Sequence, residues 1–130
     1  MRLTLPGLLL CICPIASNAQ SLVTAEIFHG NDAQSTASVT TDFDNNMLCF
    51  TGFWDDLDAD PGPGVLNFNS VGSQDIAITK LDPSGNLIWS KQIGGAGFAA
   101  AQVIKADAAG NVFVFGYFNG TMDMNPGPGT

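Results

Sequence analysis

Basic side chains are scarce in this sequence: four Lys and Arg stand against twelve Asp and Glu, with a single histidine. The imbalance argues against nucleic acid or anionic lipid as a partner, because both present negative charge to a docking surface. The lone His29, in a glycine-flanked loop, assembles neither a His-based triad nor a two-histidine metal centre. No uninterrupted apolar run reaches the ~20 residues a membrane-spanning helix needs. Cysteine is also sparse, and two of the three, Cys11 and Cys13, fall in the first 19 residues.

Those 19 residues read as a signal peptide. Arg2 supplies the positive start, "LTLPGLLLCICPI" the apolar stretch, and Ser17 and Ala19 the small residues before a cut that leaves Gln20 first. Leu10 and Ile12 precede the two cysteines where a lipid-attachment site requires a small residue, so a secretory signal is the better reading. The protein is therefore expected to be secreted or held at the cell surface. Residues 20–130 keep three basic and all twelve acidic side chains, a formal charge of −9. Cys49 is then alone, with no internal disulfide open to it; its apolar surroundings mark a small buried hydrophobe.

What is present is glycine, apolar residues at 45%, and an internal repeat. Shifting the chain by 65 residues superimposes Gly30 on Gly95, Asp42 on Asp107, Asn46 on Asn111, Phe50 on Phe115 and Asp58 on Asp123. It also superimposes "PGPG" at 61–64 on "PGPG" at 126–129, without a gap. Within one period the apolar pattern alternates or runs continuously between turn residues, which predicts strands near 38–41, 47–53, 75–81 and 87–93. Their counterparts are 102–106, 112–118 and, for the last, 22–28; 65–68 is a short extra strand. "DPSGN" at 82–86 and "DAAGN" at 107–111 predict tight hairpins in which Gly85 and Gly110 take positive φ, and "DFDNN" puts Asn45 in the same slot. The expected fold is all-β, built of four-stranded antiparallel blades of the β-propeller type. The first copy covers about 22–86 and the second about 87–130.

The run "DIAITKLDPSGNLIWSKQIGG", followed by "DAAGNVFVFGYFNGTMDMNPGPG", resembles the SBBP class of bacterial β-propeller repeats. The resemblance covers nearly all of residues 20–130 and implies a propeller fold and export; some proteins of that class carry a C-terminal type IX secretion sorting domain. It fixes no single activity. The first copy departs from the pattern, with "NNMLCFTG" for "GNVFVFG", as a terminal repeat is expected to. About one and a half blades are present, an incomplete ring, so the chain is expected to be the N-terminal part of a longer protein with 22–28 completing the last blade.

Candidate sites are few. Asp56, Asp58 and Asp60 in "DLDADPGPG" alternate as in calcium loops, where crowded carboxylates supply hard oxygen ligands. Pro61, however, occupies the place of the loop glycine, and Thr121 and Asn125 replace two of the acids in the second copy. The competing reading is a turn: Asp or Asn before Pro starts it, and Pro-Gly-Pro-Gly stiffens it. Asp55 with Asp58 is the weakest candidate, a glycosidase-like carboxylate pair. "GGAG" at 94–97 lacks the lysine and helix of a phosphate loop and reads as a strand connector. Trp54 is the surface aromatic placed to stack on a ligand, and Trp89 is expected between blades. No catalytic set gathers, and no cofactor is implied beyond the calcium reading. The expectation is a scaffold or binding module for a protein or glycan. The alternative is an exported enzyme, carbohydrate-active for example, with its site in blades beyond these two.

Overall fold

The computed structural model describes residues 28–32 and 34–125. The signal peptide, the strand placed at 22–28 apart from Phe28, and the second "PGPG" lie outside the described residues. Nine strands and no helix are found among those described. They are β1 (Gln34–Thr41), β2 (Met47–Phe53), β3 (Asp56–Asp58), β4 (Asn67–Asn69), β5 (Asp75–Leu81), β6 (Leu87–Gly95), β7 (Ala99–Ala106), β8 (Val112–Phe118) and β9 (Met122–Asp123). Strands β1, β2, β5 and β6 form an antiparallel meander, and β9 adds to its far edge; β3–β4 and β7–β8 are two-stranded sheets.

The hairpin turns are built alike. In each, Asp accepts the N–H of the Asn four residues on and of the residue two on, and the Asn side-chain amide donates to its second oxygen: Asp42–Asn46, Asp82–Asn86 and Asp107–Asn111. The left-handed slot holds Asn45 (φ 61°), Gly85 (φ 89°) and Gly110 (φ 84°), as the sequence predicts. Hydrogen bonds from their Asn hold the Asp82 and Asp107 carboxyls below the usual range. Burial works to raise Asp42, but hydrogen bonds from Lys80 and Asn46 and the Lys80 charge outweigh it and bring its pKa to about 2. Lys80 Nζ lies 2.7 Å from Asp42 Oδ2.

The central strands β2 and β5 are buried on both faces, which is why they read as nearly continuous apolar runs. On one face Cys49, Phe53 and Ala77 pack with Phe28, Leu57 and Ala59 under β3–β4, where Leu66 and Phe68 close the layer. On the other, Leu48, Phe50, Ile76 and Ile78 pack against Ala101 and Ile104 of the β7–β8 hairpin. Each large side chain so enclosed stabilises the fold by about 1.5–3 kcal/mol. A buried polar pair is satisfied internally: Thr79 and Ser90, partners across β5–β6, share a 2.8 Å hydrogen bond, and Ser90 Oγ also donates to Ile78 O.

The 65-residue repeat is structural. Strands β1 and β2 map onto β7 and β8 residue for residue, with the same pairing (Val39 with Cys49, Ile104 with Val114) and a register shift at the same place. The His29–Asp58 bridge maps onto the Gly94–Asp123 pairing of β6 with β9.

Four strand readings change. β1 and β7 start earlier than 38 and 102, because Ser/Thr-rich and Ala-rich segments show no apolar alternation. Gly94 and Gly95 are in β6 rather than a connector. A Cβ at Gly94 would collide with the Asp75 carboxylate and one at Gly95 with Thr121 O, so close approach is what these glycines permit. The extra strand lies at 67–69 and pairs with β3, which no periodicity announced in so short a segment.

Candidate functional site

After β2 the chain turns at half-buried Trp54 and exposed Asp55, whose φ of 65° is unusual for a non-glycine residue. Ser70 pins this turn: the Asp55 N–H donates to Ser70 Oγ at 3.0 Å, and the Ser70 N–H donates to Asp55 O at 2.7 Å. Through the next residues Leu57 and Ala59 are buried, which leaves Asp56, Asp58 and Asp60 half-buried between them. Each carboxylate accepts backbone N–H groups. Asp56 Oδ1 takes that of Asn31 at 3.0 Å; Asp58 Oδ1 takes those of Asp60 and Leu66 at 3.1 and 2.9 Å; Asp60 Oδ1 takes that of Gly62 at 2.8 Å. Gly64 lies beside them, where a Cβ would displace Asp60 Oδ2. The second copy repeats the turn, with Asp123 Oδ1 accepting the Asn125 N–H at 2.8 Å.

The alternation of acids therefore matches a strand-like segment that buries every second residue, and the carboxylates tie its turns. Among the described residues no group of three or more His, Cys, Asp or Glu is placed to hold a metal. Of the proposed glycosidase pair, Asp58 has one oxygen committed to two N–H groups, and Asp55 is exposed.

The second-copy turn borders a groove of about 490 Å³ between the ends of β4, β5 and β6. Asn69, Asp75, Lys91, Gln92 and Asp123 line it together with Phe68. Asp75 is fully buried: its Oδ2 accepts the Val71 N–H at 3.0 Å and Gln92 Nε2 at 2.6 Å, while its Oδ1 has no partner. Gln92 Nε2 also donates to Asn69 O at 2.7 Å, which fixes the amide across the groove wall. Sequence reasoning missed Asp75 and Gln92. The available signal was an acid opening an otherwise apolar strand, "DIAITKL", followed 19 residues later by the glycine its carboxylate requires.

Trp54 is not among the residues lining this groove. Trp89 packs, partly buried, against the apolar layer between the meander and β7–β8. His29 is exposed, and Cys49 is buried with its thiol 3.9 Å from Thr79 O. The chain matches no family model, no curated protein and no solved structure. The SBBP resemblance accordingly rests on the residues quoted above.

Proposed function

We propose that this chain is a β-propeller-type repeat region of an exported protein and acts as a non-catalytic scaffold or binding module. The observation that carries the reading is the second copy: the same hairpin, in the same register, lies face to face on the first, as consecutive blades do. The quoted SBBP-like runs and the signal-like start support export. The groove beside Asp75 is the binding face of this module. Amides, carboxylates and the Lys91 ammonium beside Phe68 suit a hydroxyl-rich ligand such as a glycan, whose hydroxyls both donate and accept hydrogen bonds. Anionic macromolecules such as nucleic acids are poor candidates for so acidic a surface.

Two measurements test this. Expressed with residues 1–19 in a bacterial host, the chain is expected outside the cytoplasm with Gln20 at its N-terminus; an uncleaved cytoplasmic product overturns export. Titrated with a panel of neutral oligosaccharides, the Gln92 and Asn69 side-chain amides are expected to shift in NMR spectra, and Gln92→Ala to abolish the response. A flat response across the panel overturns the groove's role, and turnover of any member overturns the non-catalytic reading.

A further inference from the structure

Asp75 is wholly buried, yet only one of its oxygens is bonded. Oδ2 accepts the Val71 N–H and Gln92 Nε2, whereas Oδ1 has no partner among the described residues. No lysine compensates the charge, since the ion pair among those residues joins Lys80 to Asp42. Burying a carboxylate is costly unless a cation or a full set of donors meets it. The sheet also sets a second acid on the same face. Asp75 lies across from Gly94 in the register that pairs Ile76 with Ile93, and Gly94 pairs with Asp123 of β9. Residues opposite one another across strands share a face, so the three form one row with the glycine in the middle. The Asp75 carboxylate fills the space that a Gly94 side chain would take, with both oxygens over that residue. Asp123 commits Oδ1 to the Asn125 N–H, and no hydrogen bond among the described residues falls on its Oδ2. Its first-copy counterpart, Asp58, likewise uses Oδ1, for the N–H groups of Asp60 and Leu66.

We propose that this row is the specificity site of the groove and takes a primary ammonium group, as carried by an amino sugar, between Asp75 Oδ1 and Asp123 Oδ2. The inference rests on the groove being the glycan-binding face and adds the group that this face selects. Charge favours a cation: exposed Lys91 is the one basic side chain lining the groove, against the two acids. An ammonium brings three N–H donors together with its charge, so one group can serve both carboxylates. A hydroxyl would satisfy Oδ1 but leave the two negative charges unbalanced. A hard metal ion needs six or more oxygens, and the described residues gather no set of three acids, histidines or cysteines here. Gln92 holds the acceptor in place, because its amide bonds Asp75 Oδ2 and Asn69 O at once.

Titration calorimetry of the full chain with trisaccharides of glucosamine, N-acetylglucosamine and glucose tests this. The glucosamine sugar is expected to bind at least about tenfold more tightly than the other two. Asp75→Asn keeps an oxygen for Val71 and Gln92 but turns an amide NH2 toward the ligand, and is expected to erase the preference. Asp123→Asn keeps an oxygen for the Asn125 N–H and is expected to reduce the preference. Because Asp123 is exposed, that variant reads the site without disturbing the core. Asp44→Asn makes the same charge change on an exposed hairpin turn and is expected to leave the preference intact. This control separates the row from the general attraction of an acidic protein for cations. Equal binding of the three sugars overturns the ammonium and leaves the groove reading standing; no binding by any of them overturns both. A preference that survives both groove variants, or that Asp44→Asn weakens as much as they do, also overturns the proposal. Calcium chloride alone giving a binding isotherm that Asp75→Asn abolishes overturns it in favour of a metal.

Discussion

The hairpins β1–β2 and β7–β8 share one backbone plan, one register shift and one turn, yet differ in what surrounds them. Leu48, Phe50 and Phe53 of β2 are 0, 2 and 0% exposed; Phe113, Phe115 and Phe118 of β8 are 59, 67 and 50% exposed. Local sequence thus suffices to set pairing, because Asp-x-x-Gly/Asn-Asn turns and a period of two fix the register on their own. Burial belongs to the neighbouring element. The first hairpin is enclosed by β3–β4 and Phe28 on one face and by β7 on the other; the second is covered, among the described residues, on one face.

The largest expected effect separates equivalent phenylalanines. Phe50→Ala removes a ring enclosed between two sheets and is expected to cost about 3–5 kcal/mol. Phe115→Ala, measured by urea unfolding in dilute solution, is expected to change stability by about 0.5 kcal/mol or less. Equal losses at the two positions would mean that the outer face of β8 is covered after all, and would break the comparison.

A smaller effect sharpens it. Asp55 (φ 65°) and Gly120 (φ 74°) are 65 residues apart and hold the same left-handed conformation. Gly120→Ala is expected to destabilise by about 1–2 kcal/mol, the cost of placing a Cβ in that region. Asp55→Gly is expected to stabilise by up to about 1 kcal/mol, the relief being partly offset by the entropy of glycine in the unfolded chain. Thermal unfolding of the two variants reads both signs. If Asp55→Gly lowers Tm, the hydrogen bonds with Ser70 hold the turn with help from the Asp55 side chain itself.

The sequence disclosed those parts of the fold that rest on short-range rules. The predicted limits of β2, β5 and β8 coincide with the observed strands, because Asp-x-x-Gly/Asn-Asn turns punctuate each of them and their apolar runs are dense. It was silent on elements defined by long-range approach. Gly94 and Gly95 look like a flexible connector until Asp75 and Thr121 are seen to occupy the space of their missing Cβ atoms. For the acidic motif, spacing alone left calcium ligation and turn formation open; in the fold Oδ1 of Asp58 accepts the N–H groups of Asp60 and Leu66, and Oδ1 of Asp60 that of Gly62. The groove was invisible for a related reason: Asp75, Gln92 and Asp123 come from three segments that only sheet pairing brings together.

The smallest expected effect concerns the three Asp–Asn turns, which are alike except that Lys80 reaches only the first. Asp42 has a folded-state pKa of about 2, below its ordinary unfolded value of about 3.9. A group depressed on folding adds stability that is fully present above the unfolded value and is lost as pH falls through the folded one. Stability is therefore expected to decline between about pH 4 and pH 2. Asp82 and Asp107, also lowered, contribute with the same sign. Lys80→Met removes the charge-assisted partner of Asp42 and leaves the other two turns untouched. It is expected to cost about 0.5–1 kcal/mol at neutral pH, less at high salt, and to make the acid decline smaller, ending at higher pH because the folded pKa of Asp42 rises. Urea titrations at several pH values measure this directly. Parallel curves for the variant and the wild type would show that the Asn46 hydrogen bonds alone depress Asp42, making the three turns equivalent in energy as well as in shape.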